Sequence, residues 1–298
     1  MKKQSVGGQA VIEGIMMQSK NYRAIAVRKS NGEIELKKER IKSWVQDKKI
    51  DKIPFLRGGF ILFETMIQGI KSLNYSSEFF MEDDEEEEDA IDKFLKRVFK
   101  DKANDAIMVV SLILAMILSI GLFVLIPTII SGFFGLFIKN NIILNLIEGL
   151  IRILILILYM LGISRNEDIK RTFMYHGAEH KTIYCYENDL ELTVENVRKF
   201  TTLHPRCGTN FLFIVMATSI ILFSFFGWPN ILLRVVMRIL CIPIVAGISY
   251  EIIKFLGKYD NILSKIVAYP GMMLQRITTK EPDDAQIEVA IKALKAVI

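Results

Sequence analysis

The chain has 298 residues, 51% of them hydrophobic, and a formal net charge of +5. A soluble domain of this length is less apolar, and the excess lies in blocks, the mark of membrane spans. The small positive balance does not indicate nucleic acid, and three cysteines, Cys185, Cys207 and Cys241, are too few and too scattered for a disulfide framework.

The first 50 residues are polar and hold no apolar core of the signal-peptide kind. Residues 22–29 and 33–40 flank Ser30-Asn31-Gly32. Asn-Gly tolerates φ > 0 at both central positions, so a β-hairpin is predicted. Residues 55–73 are apolar but interrupted by Arg57, Glu64 and Lys71. They read as an amphipathic helix lying on the membrane or docking against the spans. Residues 82–89 are all acidic, a self-repelling block expected to form a solvated loop. Residues 1–104 are therefore expected to form a cytoplasmic N-terminal region.

Residues 106–138 carry no charge, and Pro127 is expected to kink or end a first span there. A second span is predicted at 142–163 with Glu148 and Arg152, a third at 211–229, and a fourth at 231–253 with Arg234, Arg238 and Glu251. The domains expected are thus 1–104, spans one and two within 105–163, a polar insert at 164–210, spans three and four within 211–253, and a tail at 254–298 ending in an amphipathic helix near 284–297. Lys and Arg crowd the segment before span one, the insert and the tail, whereas Lys139 alone follows span one and none follows span three. The positive-inside rule then puts both termini and the insert in the cytoplasm. The fold class expected is a mainly α-helical polytopic membrane protein with about four transmembrane helices and a small N-terminal cytoplasmic α+β region, in the bacterial inner membrane.

Charges at span depth are costly and usually paired. Glu148 and Arg152 are one turn apart. Glu148 and Arg238 lie at similar depth in spans two and four, so a Glu148–Arg238 contact is predicted, with a polar pathway as the functional alternative.

All three histidines, His176, His180 and His204, fall in the insert. His176 and His180 are one helical turn apart and can share a metal. Glu179 beside them is placed to act as a general base, and His-x-x-Glu-His is the inverted zinc-protease pattern. His204 and Cys207 flank Pro205-Arg206 in a tight turn. Four such ligands make a closed zinc site; if Cys207 stands off, three histidines leave an open position. Cys185 and Cys241 read as packing residues.

Four stretches, 7–17, 176–181, 204–209 and 274–284, together resemble the YqhQ family of bacterial membrane proteins over nearly the whole chain. The family is catalogued as a domain of unknown function and labelled a predicted metal-dependent enzyme. The resemblance implies membrane location and a candidate metal site. It also flags Glu13, in the apolar run 10–17, as an extra ligand or substrate contact. Residues 278–282 are expected to cap and start the terminal helix.

Two readings follow. In one, the protein is a zinc-type hydrolase on a membrane-protein or lipid substrate, with His176, His180 and His204 on the metal, Glu179 as base, and Lys181 or Arg206 holding an anionic group. In the other, it is a non-enzymatic assembly or regulatory factor, or a transporter, with a structural metal.

Overall fold

A computed structural model describes residues 4–80, 103–227, 229–258 and 261–298. The acidic block at 82–89 lies outside them. The described residues fall into two compact units, one taking those within 1–81, 157–219 and 242–298, the other those within 82–156 and 220–241.

The first unit opens with four strands, β1 (Gly7–Val11), β2 (Gly14–Gln18), β3 (Tyr22–Arg28) and β4 (Ile34–Arg40), in an antiparallel meander of order β1-β2-β3-β4. The β3–β4 hairpin stands where Asn31-Gly32 predicts it, but its loop is wider than two residues. Arg28 pairs with Ile34, and only Gly32 takes positive φ, at 86°. Asn31 instead accepts the Glu33 amide at 3.0 Å, so the turn closes through its side chain.

A short helix, α1 (Trp44–Asp47), leads into α2 (Leu56–Ser77). The remaining elements of this unit include α6 (Glu167–Glu187), α7 (Val194–Arg198), α10 (Ile262–Thr278) and α11 (Asp284–Val297). Segments far apart in the chain share one core. Ile15, Met17, Ala24 and Ala26 of the sheet meet Tyr175, Ala178 and Ile183 of α6 and Ile287, Ala290 and Leu294 of α11. The C-terminal helix is therefore a core element: its apolar stripe is buried against the sheet. Its start is set by Asp283, not by the threonines before it. The Asp283 carboxylate accepts from the Gln286 amide at 2.8 Å while the Gln286 side chain accepts from the Asp283 amide, a complete capping box. The opposite face of the sheet packs Val11, Met16, Ile25 and Val27 under Tyr75, Phe79 and Phe80.

The apolar blocks are helices: α3 (Ala103–Ile120), running through a π turn (Gly121–Leu125) into α4 (Ile126–Phe134), then α5 (Asn141–Ile163), α8 (Gly208–Ser224) and α9 (Ile231–Lys258). Among the described residues, three stretches are long and apolar enough to cross a membrane, Val109–Phe134, Asn141–Ile163 and Ile231–Leu256; α8 is apolar but spans 17 residues.

In the second unit Pro127 does not end the first apolar helix, which continues through the π turn beside it. Proline cannot donate to the carbonyl four residues back, that of Phe123. Arg152 Nε donates to the same carbonyl at 2.9 Å, and the π turn takes up the displaced geometry. Glu148, fully buried, is the hub of this region. Its oxygens accept from Thr128 at 3.0 Å, Ser131 at 3.1 Å, Arg152 at 3.3 Å and Arg238 at 2.5 Å, and Arg234 lies 3.8 Å away.

One carboxylate facing three guanidiniums makes an asymmetric prediction. Removing one partner of a buried charge pair costs about 3–5 kcal/mol because the other charge is stranded. Glu148→Leu strands three arginines and should lower thermal stability in detergent far more than Arg234→Gln, which removes the most distant one. The reverse order would contradict this account of the hub.

Candidate functional site

Helix α6 starts because Asn166 caps it, its side chain accepting from the amides of Asp168 and Ile169. Its apolar residues anchor in the core, and an adjacent stripe faces a cleft of about 360 Å³. The cleft is lined by His176, Glu179, His180, His204 and Cys207, with the β1 backbone at Gly7–Gln9 as the opposite wall.

The two α6 histidines are turned by backbone carbonyls. His176 Nδ1 lies 2.9 Å from the Thr278 carbonyl, and His180 Nδ1 lies 2.5 Å from the Thr202 carbonyl. A carbonyl only accepts, so each Nδ1 carries the proton and each Nε2 keeps its lone pair. His176 Nε2 points to Cys207 Sγ at 3.2 Å. One ligand atom from each of His176, His180 and Cys207 lies within 4.8 Å of the others. Burial pushes the His180 pKa down, which favours the neutral imidazole that a metal requires. Cys207 sits in the turn at the start of α8, and Thr209 Oγ1 donates to its sulfur at 3.3 Å.

His204 is placed differently. Its Nδ1 accepts the Arg206 amide at 3.2 Å, and its Nε2 faces Glu187 Oε2 at 3.5 Å, the outer limit of a hydrogen bond. Its ring stands 5.5 Å from that of His180, centroid to centroid. It lines the cleft beside the His176–His180–Cys207 group rather than within it. Gln275 clamps it from α10, accepting the His204 amide at 2.8 Å and donating to its carbonyl at 2.8 Å. Burial alone would raise the Glu187 pKa, but the nearby His204 ring and the charge of Arg206 outweigh it and hold the carboxyl below its usual range. Arg206, half exposed, is ion-paired to the same Glu187.

Glu179 is buried against β1, where the Gly8 amide donates to it. Burial pushes its pKa up to about 7, despite the opposing influence of His176 and the Gly8 hydrogen bond. Glu13 and Lys181 lie elsewhere. Glu13 occupies the β1–β2 turn with φ of 46°, held there by Arg171 at 2.5 and 2.6 Å and by the Tyr175 hydroxyl at 3.2 Å. Lys181 is buried, donating to the Arg198 carbonyl at 3.1 Å and paired with Glu281. Neither lines the cleft.

Sequence reasoning missed Gln275 and the orienting carbonyls of Thr202 and Thr278. Gln275 and Thr278 lie in the 274–284 stretch that carries part of the family resemblance, the one signal that pointed to them.

The fold and cleft define a mainly helical protein with an N-terminal four-stranded sheet and helices of membrane-spanning length. The chain belongs to the family described as protein of unknown function (DUF1385), whose model matches residues 53–298. It is 36% identical over 297 residues to the uncharacterized protein YqhQ of Bacillus subtilis (strain 168), covering 98% of this chain and 92% of that one. No solved structure matches it.

The cleft depends on the tail running flat against α6. The Lys280 amide donates to the Phe173 carbonyl at 2.9 Å, and a Cβ on Gly177 would collide with the Lys280 carbonyl. Gly177→Ala should therefore destabilise the protein by about 1–3 kcal/mol through overpacking. Gly7→Ala, with nothing within 4 Å of the added carbon, should be nearly silent. Thermal unfolding of the two variants checks this, and equal effects would contradict it.

Proposed function

We propose that the protein is a metal-dependent enzyme of the hydrolase type, embedded in the bacterial inner membrane with the cleft on the cytoplasmic face. Its metal, of the zinc class, would be held by His176 Nε2, His180 Nε2 and Cys207 Sγ. The observation that carries this reading is the turning of both imidazoles by backbone carbonyls, so that their free nitrogens converge on one thiol. Metal-binding histidines are oriented in this way by hydrogen bonds from the other ring nitrogen. Two ligands at zinc distances of roughly 2.0 and 2.3 Å stand roughly 3.5 Å apart, so the 3.2 Å His176–Cys207 spacing fits with little movement.

Three protein ligands beside an open cleft leave a coordination position for water or substrate, the arrangement of catalytic rather than structural zinc. When bound, the metal supplies Lewis acidity at that position. Glu179 lines the same cleft, and a carboxyl titrating near neutrality can both accept and return a proton. His204 and Gln275 shape the wall, while Arg206 at the mouth offers a cation to an anionic group. The substrate class proposed is a membrane protein or lipid. In this reading α8 is a fourth span, and the basic segments 164–210 and 254–298 share the cytoplasmic side with the N-terminus.

Purified protein loaded with zinc, desalted and analysed for metal tests the proposal. The wild type should retain about one equivalent per chain. His176→Ala and Cys207→Ser should lose it, whereas Glu179→Gln and His204→Gln should keep it. A wild type that retains no metal, or a His204 variant that loses it as His176→Ala does, would overturn this ligand set.

A further inference from the structure

Helix α2 has its polarity reversed. The residues it buries are small, Gly58, Gly69, Ser72 and Ser76. Five large apolar residues are exposed, Leu56 (54% exposed), Phe60 (37%), Phe63 (57%), Met66 (56%) and Leu73 (42%), beside Thr65 and Lys71. At 100° per residue Leu56, Phe60 and Phe63 lie on the side of the helix opposite the buried set, and Met66 and Leu73 lie on its flank. A helix packing in water buries its large apolar stripe. Small residues inward and large apolar residues outward is the arrangement of helices packed in lipid, where close backbone approach replaces the hydrophobic drive.

The inner face supports this. A Cβ on Gly58 would come within 2.9 Å of Gly247 Cα and 2.6 Å of Tyr250 Cβ on α9, so the two backbones meet with no side chain between them. Arg57 grips Glu251 of α9 through both oxygens, at 2.6 and 2.5 Å. The start of α2 thus lies along the second half of α9, whose outward residues Ile242, Ile244 and Phe255 are themselves exposed. The interior acid of α2 is hydrogen-bonded within the protein: Glu64 accepts from Ser43 Oγ at 2.7 Å and the Trp44 amide at 3.0 Å. Trp44 packs edge-on to Phe60 at 5.7 Å, and Lys48, Lys49 and Lys52 follow it, a combination suited to a headgroup layer.

We infer that α2 is a lipid-immersed helix whose Leu56–Phe60–Phe63–Met66–Leu73 face contacts acyl chains. The inference rests on the membrane reading above and not on the metal. Gly69 on its inner face abuts Gln9, and Ser76 Oγ accepts the Ile12 amide at 3.2 Å. The β1 wall of the cleft therefore rests directly on a lipid-facing helix, roughly 10 Å thick, which favours a membrane-resident amphiphile as substrate.

Reconstitution of the full chain into phosphatidylcholine–phosphatidylglycerol vesicles carrying a photoactivatable diazirine acyl chain tests this, with labelled peptides mapped by mass spectrometry. The peptide bearing Phe60, Phe63 and Met66 should be labelled comparably to peptides from α5, and that labelling should be lost in Phe63→Asp/Met66→Asp with α5 still labelled. Labelling of α2 at the background level of the β4 peptide, with α5 labelled, would overturn the inference alone. Labelling that disappears as protein-to-lipid ratio rises would assign the face to a second copy and also overturn it. Absence of labelling on both α2 and α5 would overturn the membrane reading with it.

Discussion

The contact on which the rest of the first unit depends is between the tail backbone and α6. Gly177 clears the space, the Lys280 amide donates to the Phe173 carbonyl, and the Thr278 carbonyl accepts the hydrogen bond from His176 Nδ1. From there Asp283 starts α11, which drives Ile287, Ala290 and Leu294 into the core beneath the sheet. The same few residues therefore close the core and aim the first histidine. A perturbation here is felt in both places, since close-packed interiors transmit small displacements.

Much of the local structure was legible from residue order. Asn31-Gly32 marked its hairpin, the polar break at Arg57 and Glu64 separated α2 from the uncharged blocks, and the boundaries of α11 followed its apolar period. The i, i+4 spacing of His176 and His180 placed them on one helical face. The pairing of β1 with β2 was not legible, because 7–17 is apolar and glycine-rich without clean alternation, and its turn is held by Arg171 from a helix more than 150 residues away. The burial of α11 was likewise hidden: an amphipathic stripe does not say whether it faces a membrane or a sheet. The roles within the cleft were least accessible. Whether His204 joins His176 and His180 depends on which ring nitrogen takes the Arg206 amide and where Gln275 holds the backbone, both tertiary facts.

The second unit follows a parallel logic in an apolar setting. A single carboxylate, Glu148, gathers Thr128, Ser131, Arg152 and Arg238. Arg152 also donates to the Phe123 carbonyl, to which Pro127 has no amide proton to give. If these helices cross a membrane, as proposed, irregular backbone is tolerated there only where its polar groups are satisfied within the protein. The π turn and the charge hub are therefore one structural device.

The central claim, that carbonyl-oriented histidines and Cys207 form one metal site, is tested most directly by cobalt(II) replacement followed by ultraviolet and visible absorption. The account predicts a thiolate-to-cobalt charge-transfer band together with the intense visible bands of a four-coordinate ion. The charge-transfer band should vanish in Cys207→Ser and persist in Cys185→Ser and Cys241→Ser. A cobalt spectrum with no thiolate band, or one unchanged by Cys207→Ser, would contradict it.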